Sequence, residues 1–273
     1  MTIKLAINGA CGRMGGQVLR RAYESKDFKI VAAIDAPGGP NTGRDVGEVL
    51  GMGQIGVYVV GANDIEEELK IRKPEVLVDF SNPEACAHNV KIAAKNGVDI
   101  VVGTTGLDDK QKTEIKQIIQ KNNIRAILSP NFSIAVNFFF KLVSEAAETL
   151  KDYDVEIIEA HHRFKKDAPS GTAKKLAEVI CEVRKTDLND VAVFGRKGMG
   201  SERGGQQIGI HSVRAGDIVG DHTVLLSTLG ERLEIKHQAH SRDAFAYGCL
   251  KAIKWLVDQK PGRYGMFDVL GLR

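Results

Sequence analysis

A chain of 273 residues with 43% hydrophobic and 27% charged residues has an ordinary globular composition. It is long enough for two cored domains, which excludes a disordered or fibrous protein. A formal charge of +3 at pH 7 and a pI of about 8.6 are too slight for a nucleic-acid binder, and no run approaches eighteen apolar residues, so neither nucleic acid nor membrane is expected as a partner.

Cys11, Cys86, Cys181 and Cys249 lack paired spacing, which suits small buried residues in a reducing cytoplasm and no metal site. The opening Met1-Thr2-Ile3-Lys4-Leu5-Ala6-Ile7 runs straight into a glycine turn and so reads as a strand rather than a secretory head. Through the first 130 residues, short β-branched runs alternate with amphipathic stretches. Strands are expected at 4–8, 29–34, 76–79, 99–102 and 125–128. Helices are expected at about 15–25, 83–96 and 108–122, with a weaker one near 65–70. This alternation belongs to a parallel sheet covered on both faces. Asn82-Pro83 signals a helix start, and Gly97 a helix end.

Ser129-Pro130-Asn131 breaks the rhythm and marks the crossing into a second domain. Beyond it the pattern predicts a helix at 136–150, a strand at 155–160 and a helix at about 172–185. Extended runs follow at 207–212, 222–228 and 233–236, and a last helix at 242–257 returns to the first domain. The fold class is thus α/β: a Rossmann-like parallel-sheet domain (1–130 with 240–273) and an α+β domain with an open mixed sheet (131–239).

Gly9-Ala10-Cys11-Gly12-Arg13-Met14-Gly15 lies between a strand and a helix, the context of a dinucleotide-binding turn. Its spacing is G-x-x-G-x-x-G rather than the commoner G-x-G-x-x-G. Asp35, 20 residues beyond Gly15, ends the second strand, where an acid accepts hydrogen bonds from ribose hydroxyls. Ala36-Pro37-Gly38-Gly39 offers no cation for a 2′-phosphate, so NADH is expected to serve at least as well as NADPH. Gly103-Thr104-Thr105-Gly106 follows another strand at the sheet edge where cofactors bind.

Residues 159–173, E-A-H-H-R-F-K-K-D-A-P-S-G-T-A, gather imidazoles and cations before a small-residue turn that opens a helix. Ser170 and Thr172 are natural N-cap types, so the turn offers backbone N–H groups to carboxylates beside His162, Arg163 and Lys165. His161 and Lys165, four apart, are placed to move protons.

With Glu156-Ile157-Ile158 before it, this run resembles the signature of the 4-hydroxy-tetrahydrodipicolinate (dihydrodipicolinate) reductase family. Further matches are Gly9–Gly15, the G-T-T-G turn, Asn131-Phe132-Ser133 with Asn137, the run Arg214-Ala215-Gly216-Asp217-Ile218-Val219-Gly220, and Gly230-Glu231-Arg232.

The resemblance implies that Gly9, Ala10, Cys11, Gly12, Arg13 and Met14 hold a pyrophosphate and Asp35 the adenosine ribose. It gives the nicotinamide half to Gly103, Thr104, Thr105, Ser129, Pro130, Asn131 and Phe132. It makes His161 an acid/base residue and Lys165 a proton donor, with His162, Ser170, Gly171 and Thr172 on a cyclic dicarboxylate substrate. NADH and/or NADPH is the implied cofactor, and a homotetramer the implied assembly. Ala36 departs from the basic residue some members carry, and Phe164 from a polar one. Two other readings stay open: another two-domain NAD(P)-dependent amino-acid or sugar dehydrogenase, and a non-catalytic nicotinamide-binding regulator.

Overall fold

A computed structural model describes residues 2–272. The chain begins with β1 (Ile3–Asn8), α1 (Gly15–Glu24), β2 (Phe28–Asp35), a short α2 (Val46–Val49), β3 (Val59–Gly61), α3 (Ile65–Arg72) and β4 (Val76–Asp79). It continues with α4 (Pro83–Lys95), β5 (Asp99–Val102), α5 (Asp109–Asn122) and β6 (Arg125–Leu128). Next come α6 (Ile134–Thr149), β7 (Asp154–His161), α7 (Gly171–Arg184), α8 (Leu188–Val191), β8 (Ala192–Phe194), β9 (Ile208–Arg214), β10 (Gly220–Thr228) and β11 (Glu231–Ala239). The chain closes with α9 (Asp243–Leu256), β12 (Gly262–Tyr264) and α10 (Met266–Leu270). Two compact units result: Met1–Ile134 with Arg242–Arg273, and Ala135–Ser241.

The first unit is built on a seven-stranded, all-parallel sheet of order β12-β6-β5-β4-β1-β2-β3. The central strands are buried on both faces and therefore read as apolar runs instead of alternating ones. The helix signals in the sequence act as their chemistry requires. Asn82 accepts the Ala85 N–H at 2.9 Å, with Pro83 as the first helical residue, and Gly97 leaves α4 at φ 69°. Asp108 and Gln111 close a capping box on α5, which buries Ile115, Ile118 and Ile119. The last long helix does return to this unit: Ala246, Cys249, Leu250, Ile253 and Leu256 of α9 join the core that Val18 and Leu19 of α1 also enter. An Arg21–Asp243 ion pair at 2.6 Å ties the two helices.

Two strands of this sheet lie beyond the expected set. β3 and β12 are three residues each and sit at opposite edges, too short for an alternation to register. β12 is held parallel to β6, and the Gly262 N–H donates to the Ile124 carbonyl at 3.0 Å.

The second unit carries a mixed sheet of order β11-β10-β7-β9-β8. β10 runs antiparallel to both β11 and β7, whereas β9 runs parallel to β7 and β8. One face buries Val155, Ile157, Ile208, Ile210, Val224 and Leu226 under α6 and α7. Before the first expected extended run come one turn of helix, α8, and the short β8, and residues 195–207 form loop and turn. Arg196 and Arg203 pin that loop to Glu156 of β7. Four strands also run further than their apolar patterns suggest: β7 reaches His161, β9 reaches Arg214, β10 begins at Gly220, and β11 spans Glu231–Ala239.

Candidate active site

In the first unit the glycine turn is forced by packing as well as by conformation. Gly9 has φ 75°, and a β-carbon there would stand 2.5 Å from the Phe80 carbonyl oxygen. One on Gly15 would stand 2.1 Å from the carbonyl oxygen of Gly9. Most of the turn's amides are spent inside the chain. Gly9 donates to the Asn8 side chain, Ala10 to Ile34, Cys11 to Asp35 at 2.6 Å and Gly12 to Gly9. Among the described residues the N–H groups of Arg13 and Met14 find no acceptor, and they stand just before α1, where its dipole favours an anion. This donor set fits a pyrophosphate.

Asp35 ends β2 and takes the Cys11 and Ala36 amides, one on each carboxylate oxygen, so each oxygen keeps room for a further donor such as a ribose hydroxyl. Burial, aided by the Asp35 charge beside it, pushes the Cys11 thiol up to about 12, so this cysteine stays protonated. Gly9, Gly12, Asp35, Ala36 and Pro37 line one cavity of about 280 Å³ together with Phe80. Thr104, Thr105, Ser129 and Pro130 line a second of about 390 Å³, into which Lys112 and Arg263 also reach. Asn131 and Phe132 line neither cavity, and Phe132 is buried against the Phe80 ring. A β-carbon on Gly103 would fall 2.0 Å from that same Phe80 ring, so Gly103 serves packing at this edge.

Between the two cavities lies Asp79, a fully buried carboxylate at the end of β4 that the sequence reading passed over. It takes the Asn8 amide at 2.8 Å, the Thr104 hydroxyl at 2.6 Å, the Ser81 hydroxyl at 2.7 Å and the Asn89 amide at 3.2 Å. The available signal was an acid ending a central apolar strand, V-L-V-D, at the carboxyl edge of a parallel sheet.

In the second unit the charged segment divides at the end of β7. His161 is the last strand residue, 8% exposed, and its Nδ1 meets Glu159 Oε2 at 2.6 Å. Glu159 is fully buried and also receives a bidentate Arg214 guanidinium at 2.7 and 2.8 Å and the Ser170 N–H at 3.1 Å. Burial pushes this carboxyl up, but bonds from His161, Arg214, Ser212 and Ser170 outweigh it and hold Glu159 well below the usual carboxylate range. The register explains the gathering, because β9 sets Ser212 beside Glu159 and Arg214 beside His161, and β10 sets His222 beside Glu159. His222 is buried, and its Nε2 lies 3.0 Å from the Ser170 hydroxyl. Burial, with the nearby His161, pushes His222 down to about 3, so it is neutral.

Lys165 lies on the loop, 2.9 Å from Asp167. The Arg163 N–H donates to Gly216, and the Ala215 N–H to His161, so the 214–220 turn holds this loop along its length. One expectation needs correction. Ser170 is the N-cap of α7, whereas Thr172 is already inside the helix. Ser170 is also 2% exposed, its amide donating to Glu159 and its hydroxyl paired with the Ala173 amide and with His222 Nε2, so it shapes the turn from within. Gly171, by contrast, is exposed at the helix start. A roomier cavity of about 660 Å³ lies behind Pro169 against Phe194, Ile210 and His211, and neither His161 nor Lys165 lines it.

The parallel sheet with its glycine turn, followed by a mixed-sheet unit bearing a histidine-lysine loop, defines a two-unit α/β protein of the Rossmann type. Residues 3–132 match the family profile described as dihydrodipicolinate reductase, N-terminus, and residues 135–270 the one described as dihydrodipicolinate reductase, C-terminus. The chain belongs to the dihydrodipicolinate reductase family. It is 51% identical over 270 residues to the 4-hydroxy-tetrahydrodipicolinate reductase of Methanocaldococcus jannaschii, covering 99% of this chain and 98% of that one. It is 49% identical over 271 residues to that of Methanothermobacter thermautotrophicus, covering 99% of each. Among solved structures, the dipicolinate-bound dihydrodipicolinate reductase from Paenisporosarcina sp. superposes with a TM-score of 0.77 at 27% identity, over 98% of this chain and 99% of that one.

Proposed function

We propose that the chain reduces 4-hydroxy-tetrahydrodipicolinate to tetrahydrodipicolinate with loss of water, using NADH or NADPH, in the diaminopimelate route to lysine. The observation that carries this reading is the near-complete alignment, at about half identity, with curated reductases of that activity. The family's H-H-R-x-K and P-S-G-T elements stand in this chain at His161–Lys165 and Pro169–Thr172.

NAD(P)H supplies a hydride when bound. In our reading its pyrophosphate rests on the Arg13 and Met14 amides, its adenosine ribose on Asp35, and its nicotinamide half near Thr104, Thr105 and Ser129. The first unit is thus the cofactor domain and the second the substrate domain. His162, Gly171 and Thr172 grip the carboxylates of the cyclic substrate, with Ser170 holding their turn in shape. Lys165 delivers a proton to the ring, and His161 exchanges one through its Nε2. Proton transfer from positioned groups of this kind contributes roughly 10²- to 10⁴-fold to rate.

Assembly as a homotetramer through the strand-rich second unit belongs to the same proposal, and a monomeric mass in solution would remove it without touching the chemistry. So does a cytoplasmic location, which four free cysteines suit. Among the described residues no helix is long and apolar enough to cross a membrane. The direct test mixes the purified chain with NADH and the freshly made product of dihydrodipicolinate synthase. Loss of the NADH absorbance band is expected; a stable band would favour a different dehydrogenase or a cofactor-binding regulator.

A further inference from the structure

Glu159 has no exposed side-chain surface, and its two oxygens meet His161 Nδ1, the Ser170 amide and two Arg214 nitrogens, with the Ser212 side chain beside them. We infer that Glu159 and Arg214 form a positioning pair that keeps the His161 proton on Nδ1 and leaves Nε2 as the nitrogen that exchanges protons with substrate. This inference rests on the acid/base reading of His161 given above.

An ionised carboxylate can only accept, so the short contact at Nδ1 requires that nitrogen to donate. The guanidinium is donor-only and planar, and by binding both oxygens it fixes the plane of the carboxylate and keeps the buried acid ionised. Without it, Glu159 would be a buried, unpaired charge able to neutralise itself by taking a proton, and His161 would lose its acceptor. Arg214 reaches further, since its Nη2 also donates to the Asp167 carbonyl at 2.7 Å while the Asp167 carboxylate holds Lys165. One side chain therefore braces both residues assigned to proton movement. A purely structural ion pair joining β7 to β9 would account for the Arg214–Glu159 contact but would require no fixed proton on the imidazole.

Glu159→Gln separates the two accounts. The amide has a single acceptor, and Arg214 and the Ser170 N–H together claim it, so the NH₂ turns to His161 and forces Nδ1 to accept. Two-bond ¹H–¹⁵N spectra of the full-length protein with labelled histidines should show an Nδ1–H tautomer at His161 in the wild type and an Nε2–H tautomer in the variant. His161→Asn assigns the signal by its loss. The variant's kcat should fall about 100-fold, with KM for the cyclic substrate changed by less than roughly threefold. Glu159→Asp, which keeps the charge for Arg214 but withdraws it from Nδ1, should not restore kcat. An Nε2–H tautomer in the wild type, an unchanged tautomer in Glu159→Gln, or full rescue by Glu159→Asp would overturn the inference. The wild-type spectrum decides the matter even if neither variant folds. Normal kcat in His161→Asn would sink the acid/base reading while leaving the tautomer result standing.

Discussion

A β-carbon on Gly220 would stand 3.1 Å from the Nε2 of His161, so the imidazole keeps the first residue of β10 bare. The ring has a set position to lose, because Glu159 holds its other nitrogen and the His222 ring packs edge-on at 5.2 Å. Gly220→Ala should therefore move the ring rather than break the sheet. We expect kcat to fall about tenfold through displacement of the reacting nitrogen, with unfolding free energy changed by less than about 1 kcal/mol. Steady-state kinetics beside a denaturant titration checks both, and an unchanged kcat would show that Nε2 has no tight position to lose.

Lys165 lies on the loop with its ammonium on Asp167, a single exposed partner. Lys165→Met keeps the stem and removes the proton, so kcat should drop about 100-fold or more with the fold intact. Near-normal turnover would take Lys165 out of the chemistry.

The cofactor turn makes its own forecast. In the proposed cofactor pose the ribose meets Asp35, and a 2′-phosphate would meet Ala36, which offers no cation. Measured kcat/KM for NADH should equal or exceed that for NADPH, and Ala36→Arg should raise the NADPH value selectively. A tenfold preference of the wild type for NADPH would contradict this.

Acid stability should carry the mark of His222. Burial depresses its folded pKa to about 3 from an unfolded 6.5, so its contribution is present in full above about pH 6.5 and lost as pH falls toward about 3. In that window the unfolded chain binds a proton that the folded chain refuses, a slope of about 1.4 kcal/mol per pH unit. Urea titrations from neutral pH downward should show His222→Gln with a shallower decline than the wild type. Parallel curves would mean that His222 takes up its proton without unfolding.

The central strands and long helices were legible in the sequence because burial on both faces or on one stripe leaves a periodic trace, as at Val76–Asp79 and in α5. The strand ends were not. Arg214 and Gly220 look like loop residues by composition, yet they end β9 and begin β10, since backbone pairing of Arg214 with His161 of β7 and of Gly220 with Ala239 of β11, and not apolar pattern, sets those limits. The site suffered in the same place. Its titratable residues were visible from Glu159 to Lys165, but the partners that orient them come from strands some fifty residues away, and only the register brings them together.

The returning segment has a consequence for how the molecule comes into being. The core of the first unit needs Cys249, Leu250 and Ile253 from α9 and Met266 and Val269 from α10, while the second unit draws its whole core from residues between Val136 and Ile235. As the chain leaves the ribosome, the part that starts last can be finished first. The glycine turn emerges early, but the core that backs its sheet includes α9 and α10, so the unit that holds the histidine-lysine loop can close its core before the unit that holds the glycine turn.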